Sequence, residues 1–182
     1  MPNWVENNVE IYGNTDVLNK ILNDIKSDYG QFDFDKIVPM PPESETFCRS
    51  NLGEEEFKKY GENNWYDWSR KNWGTKWNCC EASCNGISFN VLSYFFQTAW
   101  SPAIPIMKAL AEKYKVKVKL VFIDEDIGSN CGKIAFNENG EITEDVYFSE
   151  NGFDLIAEEY GEDYLYDCGY EKKDGEWQII EE

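Results

Sequence analysis

The chain reads as an α+β domain of ferredoxin-like topology, with a tryptophan-rich helical insert and an acidic C-terminal hairpin-helix extension. Three observations predict it. Residues 1–123 alternate between period-two and period-3.6 apolar patterns in the order β-α-β-(helical insert)-β-α-β, the split arrangement of a ferredoxin-like sheet. Between Asn64 and Asn78 the segment NWYDWSRKNWGTKWN places four of the chain's seven tryptophans within thirteen residues. Charge is divided unevenly: residues 1–123 hold 16 acids against 14 bases, whereas residues 124–182 hold 19 against 3.

The elements follow in order. Val5, Val9 and Ile11 alternate with Glu6, Asn8 and Glu10 as a half-buried strand. Asn14 or Thr15 caps a helix whose apolar face is Val17, Leu18, Ile21, Leu22 and Ile25, and Gly30 closes that region. Phe32, Phe34 and Ile37 suggest a short strand before Pro39-Met40-Pro41-Pro42. The insert, residues 43–78, reads as short helical pieces. One spans Glu54 to Tyr60, and a second is capped by Asn64 and stopped by Gly74. Ile87, Phe89 and Val91 alternate as a strand continuing towards Phe96. Ser101-Pro102 opens a helix faced by Ala103, Met107, Leu110, Ala111 and Tyr114, with Pro105 blurring its first turn. Lys115 to Ile123 alternates as a strand with one wet face. Asn139-Gly140, between Ile134-Phe136 and Ile142-Val146-Phe148, signals a hairpin. Phe153, Ile156, Ala157 and Tyr160 outline a helix, and Trp177, Ile179 and Ile180 a last docking strand. We therefore expect one ferredoxin-like domain over 1–123, with the acidic residues 124–182 packed on it.

Composition excludes several functions. The net charge of -18, concentrated in the last third, repels phosphate backbones and argues against direct nucleic acid binding. Tyr94, Phe96 and the stripe Lys115, Lys117, Lys119 resemble parts of an RNA-recognition sheet, but the glycine-aromatic signature of that module is missing. With no histidine there is no Ser-His or Cys-His nucleophile pair. Cys79, Cys80 and Cys84 lack the spacing of a zinc ribbon, and the run from Asp124 lacks that of a calcium loop. Gly74-Thr75-Lys76 is not a phosphate-cradling loop. We expect no catalytic residue, cofactor, metal or membrane association. The absence of a signal-peptide pattern and six unpatterned cysteines point to the cytoplasm.

Four segments carry a family resemblance: Met1-Pro2-Asn3-Trp4-Val5-Glu6-Asn7, Lys36-Ile37-Val38-Pro39-Met40-Pro41, the block from Trp65-Tyr66-Asp67-Trp68 to Trp73-Gly74-Thr75-Lys76-Trp77, and Phe96-Gln97-Thr98-Ala99-Trp100-Ser101-Pro102. Together they resemble the YubB-like ferredoxin-like proteins borne by bacteriophages and plasmids. The resemblance implies the topology above and a host cell invaded by a mobile element, and it supplies no activity.

Two candidate sites remain. Asp145, Glu150, Asp154, Glu158, Glu159, Glu162, Asp163 and Asp167 form an acidic face among aromatics. Carboxylates on an ordered scaffold imitate the charge of a DNA strand, so a basic host protein or protein–nucleic acid complex, such as a defence protein, is the expected partner. The alternative is a small-ligand or nucleotide pocket, enzymatic or purely binding, lined by Asn72, Trp73, Thr75, Lys76, Trp77, Trp100 and Ser101, in which indole faces meet a lone lysine.

Overall fold

The structure, a computed structural model, describes residues 2–41, 58, 65–148 and 152–180. Six strands build the main sheet: β1 (Trp4–Tyr12), β2 (Cys80–Ser88), β3 (Val91–Ala99), β4 (Lys117–Asp124), β5 (Cys131–Phe136) and β6 (Ile142–Phe148). Their spatial order is β2-β3-β1-β4-β5-β6, and every neighbouring pair is antiparallel. The first four strands, with α1 (Thr15–Asp24) after β1 and α3 (Ile104–Tyr114) after β3, make the ferredoxin-like unit, and α2 (Trp65–Asn72) belongs to the insert between α1 and β2. The chain then adds α4 (Phe153–Tyr160), α5 (Glu162–Asp167) and a separate hairpin of β7 (Tyr170–Lys173) and β8 (Glu176–Ile179).

Period-two alternation sorts the two faces of the sheet. Val5, Asn7, Val9 and Ile11 point into the main core with Leu92, Phe96, Val118, Leu120 and Phe122, where Leu18, Ile21 and Ile25 of the α1 region and Met107 and Leu110 of α3 cover them. Each such fully buried aliphatic or aromatic contributes roughly 1.5–3 kcal/mol. The opposite parity carries Asn8 and Lys119, whose side chains meet Tyr160 and Glu159 of α4. Helices α4 and α5 therefore lie on the other face, over a smaller core of Ile123, Cys131, Ile156 and Leu165. Val121 and Ile123 are buried for this reason, so the wet face expected for β4 is confined to its start.

Several expectations need correction. Phe32, Phe34 and Ile37 do not form a strand: Phe34–Lys36 is a 3-10 turn capped by Asp33, and the Asn78 carboxamide takes the Phe34 N–H that a strand would have used. The second ferredoxin strand is instead β2, and the expected single strand from Ile87 to Phe96 is a hairpin. Its turn is Phe89-Asn90, both in the left-handed region at φ 49° and 65°. Tyr94 and Phe96 are core residues, at 1% and 0% exposure, and offer no stacking surface. Ser101 is not a helix cap: α3 begins at Ile104 with Pro105 in its first turn, and the nearby Ala103 N–H donates to the buried Asn7 carboxamide. Among the described residues the terminal strand pairs only with β7, and α5 is not announced by the sequence pattern. The expected helix at Glu54–Tyr60 and the Asn64 cap lie outside the described residues.

Candidate functional site

At the end of the sheet where β1 begins, the four motif segments converge. The Trp73 indole N–H donates to Val38 O at 2.9 Å, the Thr75 hydroxyl donates to Ala99 O at 2.9 Å, and the Trp100 N–H donates to Asn3 O at 2.9 Å. Asn7 ties the arrangement to the core. Its carboxamide donates to Val5 O at 2.8 Å and to the Thr98 hydroxyl at 2.9 Å, and Thr98 in turn donates to Ser101 O at 2.8 Å. Gly74, at φ +84°, passes so close to the start of α3 that a Cβ there would meet Pro105 Cδ at 2.6 Å.

Of the residues expected to line a pocket here, three gather on the surface. Trp77 and Trp100 are 37% and 43% exposed and stack with centroids 6.4 Å apart and planes 25° apart. The Lys76 ammonium lies over both rings, 4.2 Å from the Trp77 centroid and 4.7 Å from that of Trp100. The others are not lining residues. Trp73 is buried against Phe34 and Trp68, Thr75 is spent on β3, Asn72 donates back to Trp68 O, and Ser101 contributes its carbonyl. Trp73 and Thr75 are consumed because indole and hydroxyl donors that go into a core must find acceptors there. Two partners were missed: Trp4, with its ring 6.4 Å from Trp77, and Tyr66, whose ring lies 5.9 Å below the Lys76 ammonium. Trp4 had left a signal, because it is out of phase with Val5, Val9 and Ile11 and so belongs to the other face.

The acidic residues divide likewise. Asp154 and Glu158 on α4, Glu162, Asp163 and Asp167 on α5, and Asp145 on β6 are exposed, while Glu150 lies outside the described residues. Glu159 departs from the expectation: it faces the sheet, 2.9 Å from the Lys133 ammonium and 3.0 Å from that of Lys119, with its side chain 17% exposed. Burial alone raises its carboxyl, but the hydrogen bonds from Lys133 and Lys119 outweigh this and hold it below the usual carboxylate value. Beside this network Asn8, Glu10, Asn85, Ser93, Lys119 and Tyr160 border a cleft of about 260 Å³.

Residues 72–169 match the family model described as the ferredoxin-like domain in Api92-like proteins, more than half of the chain. The chain belongs to this family. A crystal structure of the protein Api92 from Yersinia pseudotuberculosis superimposes with a TM-score of 0.56 over 81% of this chain and 98% of that one. At 9% identity that likeness establishes the fold alone. No curated protein matches the sequence. Two of the cysteines of this Api92-like chain are held in the thiol form. Burial pushes the Cys79 thiol up to about 12 and that of Cys131 up to about 11, so neither is a ready nucleophile. Among the described residues no three histidine, cysteine or carboxylate side chains group to hold a metal, and no helix is long and apolar enough to cross a membrane.

Proposed function

We propose that this protein is a non-enzymatic binding protein, acting in the cytoplasm, that captures a basic macromolecule through the carboxylates of α4 and α5. One observation carries the reading. All three lysines of the last third are engaged by acids of that same third: Lys133 with Glu144, Glu158 and Glu159, Lys172 with Glu162, and Lys173 with Glu171. Among the described residues the exposed carboxylates of Asp145, Asp154, Asp163 and Asp167 have no cationic partner. An ordered, uncompensated negative surface attracts basic surfaces and speeds their encounter. The resemblance to YubB-like proteins of phages and plasmids favours a host defence protein or another nucleic-acid-binding protein as the partner, with the helices imitating a charged strand. Affinity capture from bacterial lysate tests this. The wild type retains a basic protein at low salt and releases it at high salt, and a variant carrying Glu158→Lys, Glu162→Lys, Asp163→Lys and Asp167→Lys retains none. Capture that persists in the variant removes the reading.

A further inference from the structure

The stacked tryptophans are held in place at a conformational cost. Trp100 sits at φ 69°, a left-handed backbone that a bulky aromatic seldom adopts. It is pinned there on both sides, its N–H donating to Asn3 O at 2.9 Å and its carbonyl accepting from the Asn130 carboxamide at 3.3 Å. Such strain persists only where the surroundings over-determine it, and here the result is an indole presented 43% to solvent rather than buried. Core packing does not require that arrangement. Lys76 adds a second feature: its ammonium rests on aromatic faces, and among the described residues it has no carboxylate partner. In a chain of net charge -18 this is a cation that, among the described residues, rests on exposed π surface and not on a carboxylate.

We infer that Trp77, Trp100 and Lys76 form a binding site for a small planar aromatic anion of the nucleotide class. A base lies on the exposed indole surface, and its phosphate takes the Lys76 ammonium. Stacking on tryptophan tolerates any base, because every base has a π face, and the lysine selects for the attached negative charge. The molecule's net charge of -18 disfavours a polymer of phosphates, so the ligand is the free mononucleotide rather than the end of a nucleic acid strand. This site is separate from α4 and α5 and does not depend on what they bind.

Tryptophan fluorescence titrations with AMP, adenosine, inorganic phosphate and a short oligodeoxyadenylate test the inference. Saturable quenching by AMP is expected, with adenosine about tenfold weaker, phosphate alone silent and the oligomer weaker than AMP. Trp100→Gly removes the ring while permitting the left-handed backbone, so the fold survives, and it abolishes AMP binding. Lys76→Gln weakens AMP about tenfold, the loss of one charge-assisted contact, and leaves adenosine unchanged. No saturable quenching by AMP, equal quenching of wild type and Trp100→Gly, or equal effects of Lys76→Gln on AMP and adenosine would each overturn it. A tighter complex with the oligomer than with AMP overturns the assignment to a free nucleotide.

Discussion

Two regions of this molecule are built on opposite principles, although β1 serves both. In the tryptophan region, side chains reach across the fold to backbone carbonyls: Trp73 to Val38 and Thr75 to Ala99. The aromatic packing continues into the main core through Phe34 and Trp68. Under the acidic helices, a small cluster of Ile123, Cys131, Ile156 and Leu165 is supplemented by one carboxylate gripping two lysines. Consecutive residues of one strand serve the two regions, Asn7 inward to Thr98 and Ala103, Asn8 outward to Tyr160. Hydrogen-bonded aromatic packing gives a rigid surface, whereas charge-anchored helices give an electrostatic one with less cooperative support.

The sharpest way to break this contrast is at Asn7. Replacement by Leu leaves the Ala103 N–H without its acceptor and removes the bonds to Val5 and Thr98, so unfolding in denaturant is expected to show a loss of about 3 kcal/mol. Glu159→Gln acts on the other face of the sheet and is smaller, about 2 kcal/mol, because the pair it disrupts is only partly desolvated. Its signature is local: amide exchange accelerates in α4 and α5 and stays unchanged in β1 and β3. Equal acceleration throughout would show that the two regions unfold as one.

The same carboxyl sets a pH dependence. Its folded value lies below the unfolded one near ~4.3, so its stabilisation is complete above that value and is lost as pH falls through the folded value. Amides of α4 and α5 should therefore lose protection on acidification below about pH 4 in the wild type, while Glu159→Gln lacks that component.

Gly74→Ala is expected to cost about 1–2 kcal/mol, since the left-handed backbone and the contact with Pro105 both oppose a Cβ; thermal unfolding measures it. Smallest, and opposite in sign, is Phe89→Asn. That side chain is 99% exposed in a hairpin turn whose positive φ suits asparagine, so the exchange should stabilise by about 0.5 kcal/mol. A melting temperature that falls instead would show that Phe89 makes a contact this structure does not contain.

Where local pattern and tertiary environment agreed, the fold was legible. Val5, Val9 and Ile11 announced β1, the face of Leu18 and Ile21 announced α1, and Asn139-Gly140 announced the β5–β6 hairpin, where Gly140 takes φ 73°. Strand β2 was hidden because its sequence, CEASCNGIS, contains one β-branched aliphatic and is interrupted by register shifts. The β2–β3 turn was hidden because Phe89-Asn90 carries none of the usual glycine signal. Phe32 and Phe34 mimicked a strand until Asn78, far along the chain, claimed the Phe34 N–H. The same limit applies to the candidate sites. That the tryptophan block meets Trp100 was expected from the sequence, but which tryptophans face outward depended on acceptors such as Val38 O that no local pattern reveals. Glu159 was indistinguishable from Glu158 until the sheet supplied Lys119 and Lys133 beneath it.

The measurement that bears most directly on the electrostatic account is the affinity for the captured partner as a function of salt, in the wild type and in the α4–α5 charge-reversal variant. The account predicts that log affinity falls steeply with log salt for the wild type and that the variant shows no binding from which a slope can be drawn. A wild-type affinity indifferent to ionic strength, or a variant that binds as tightly as its parent, would contradict it.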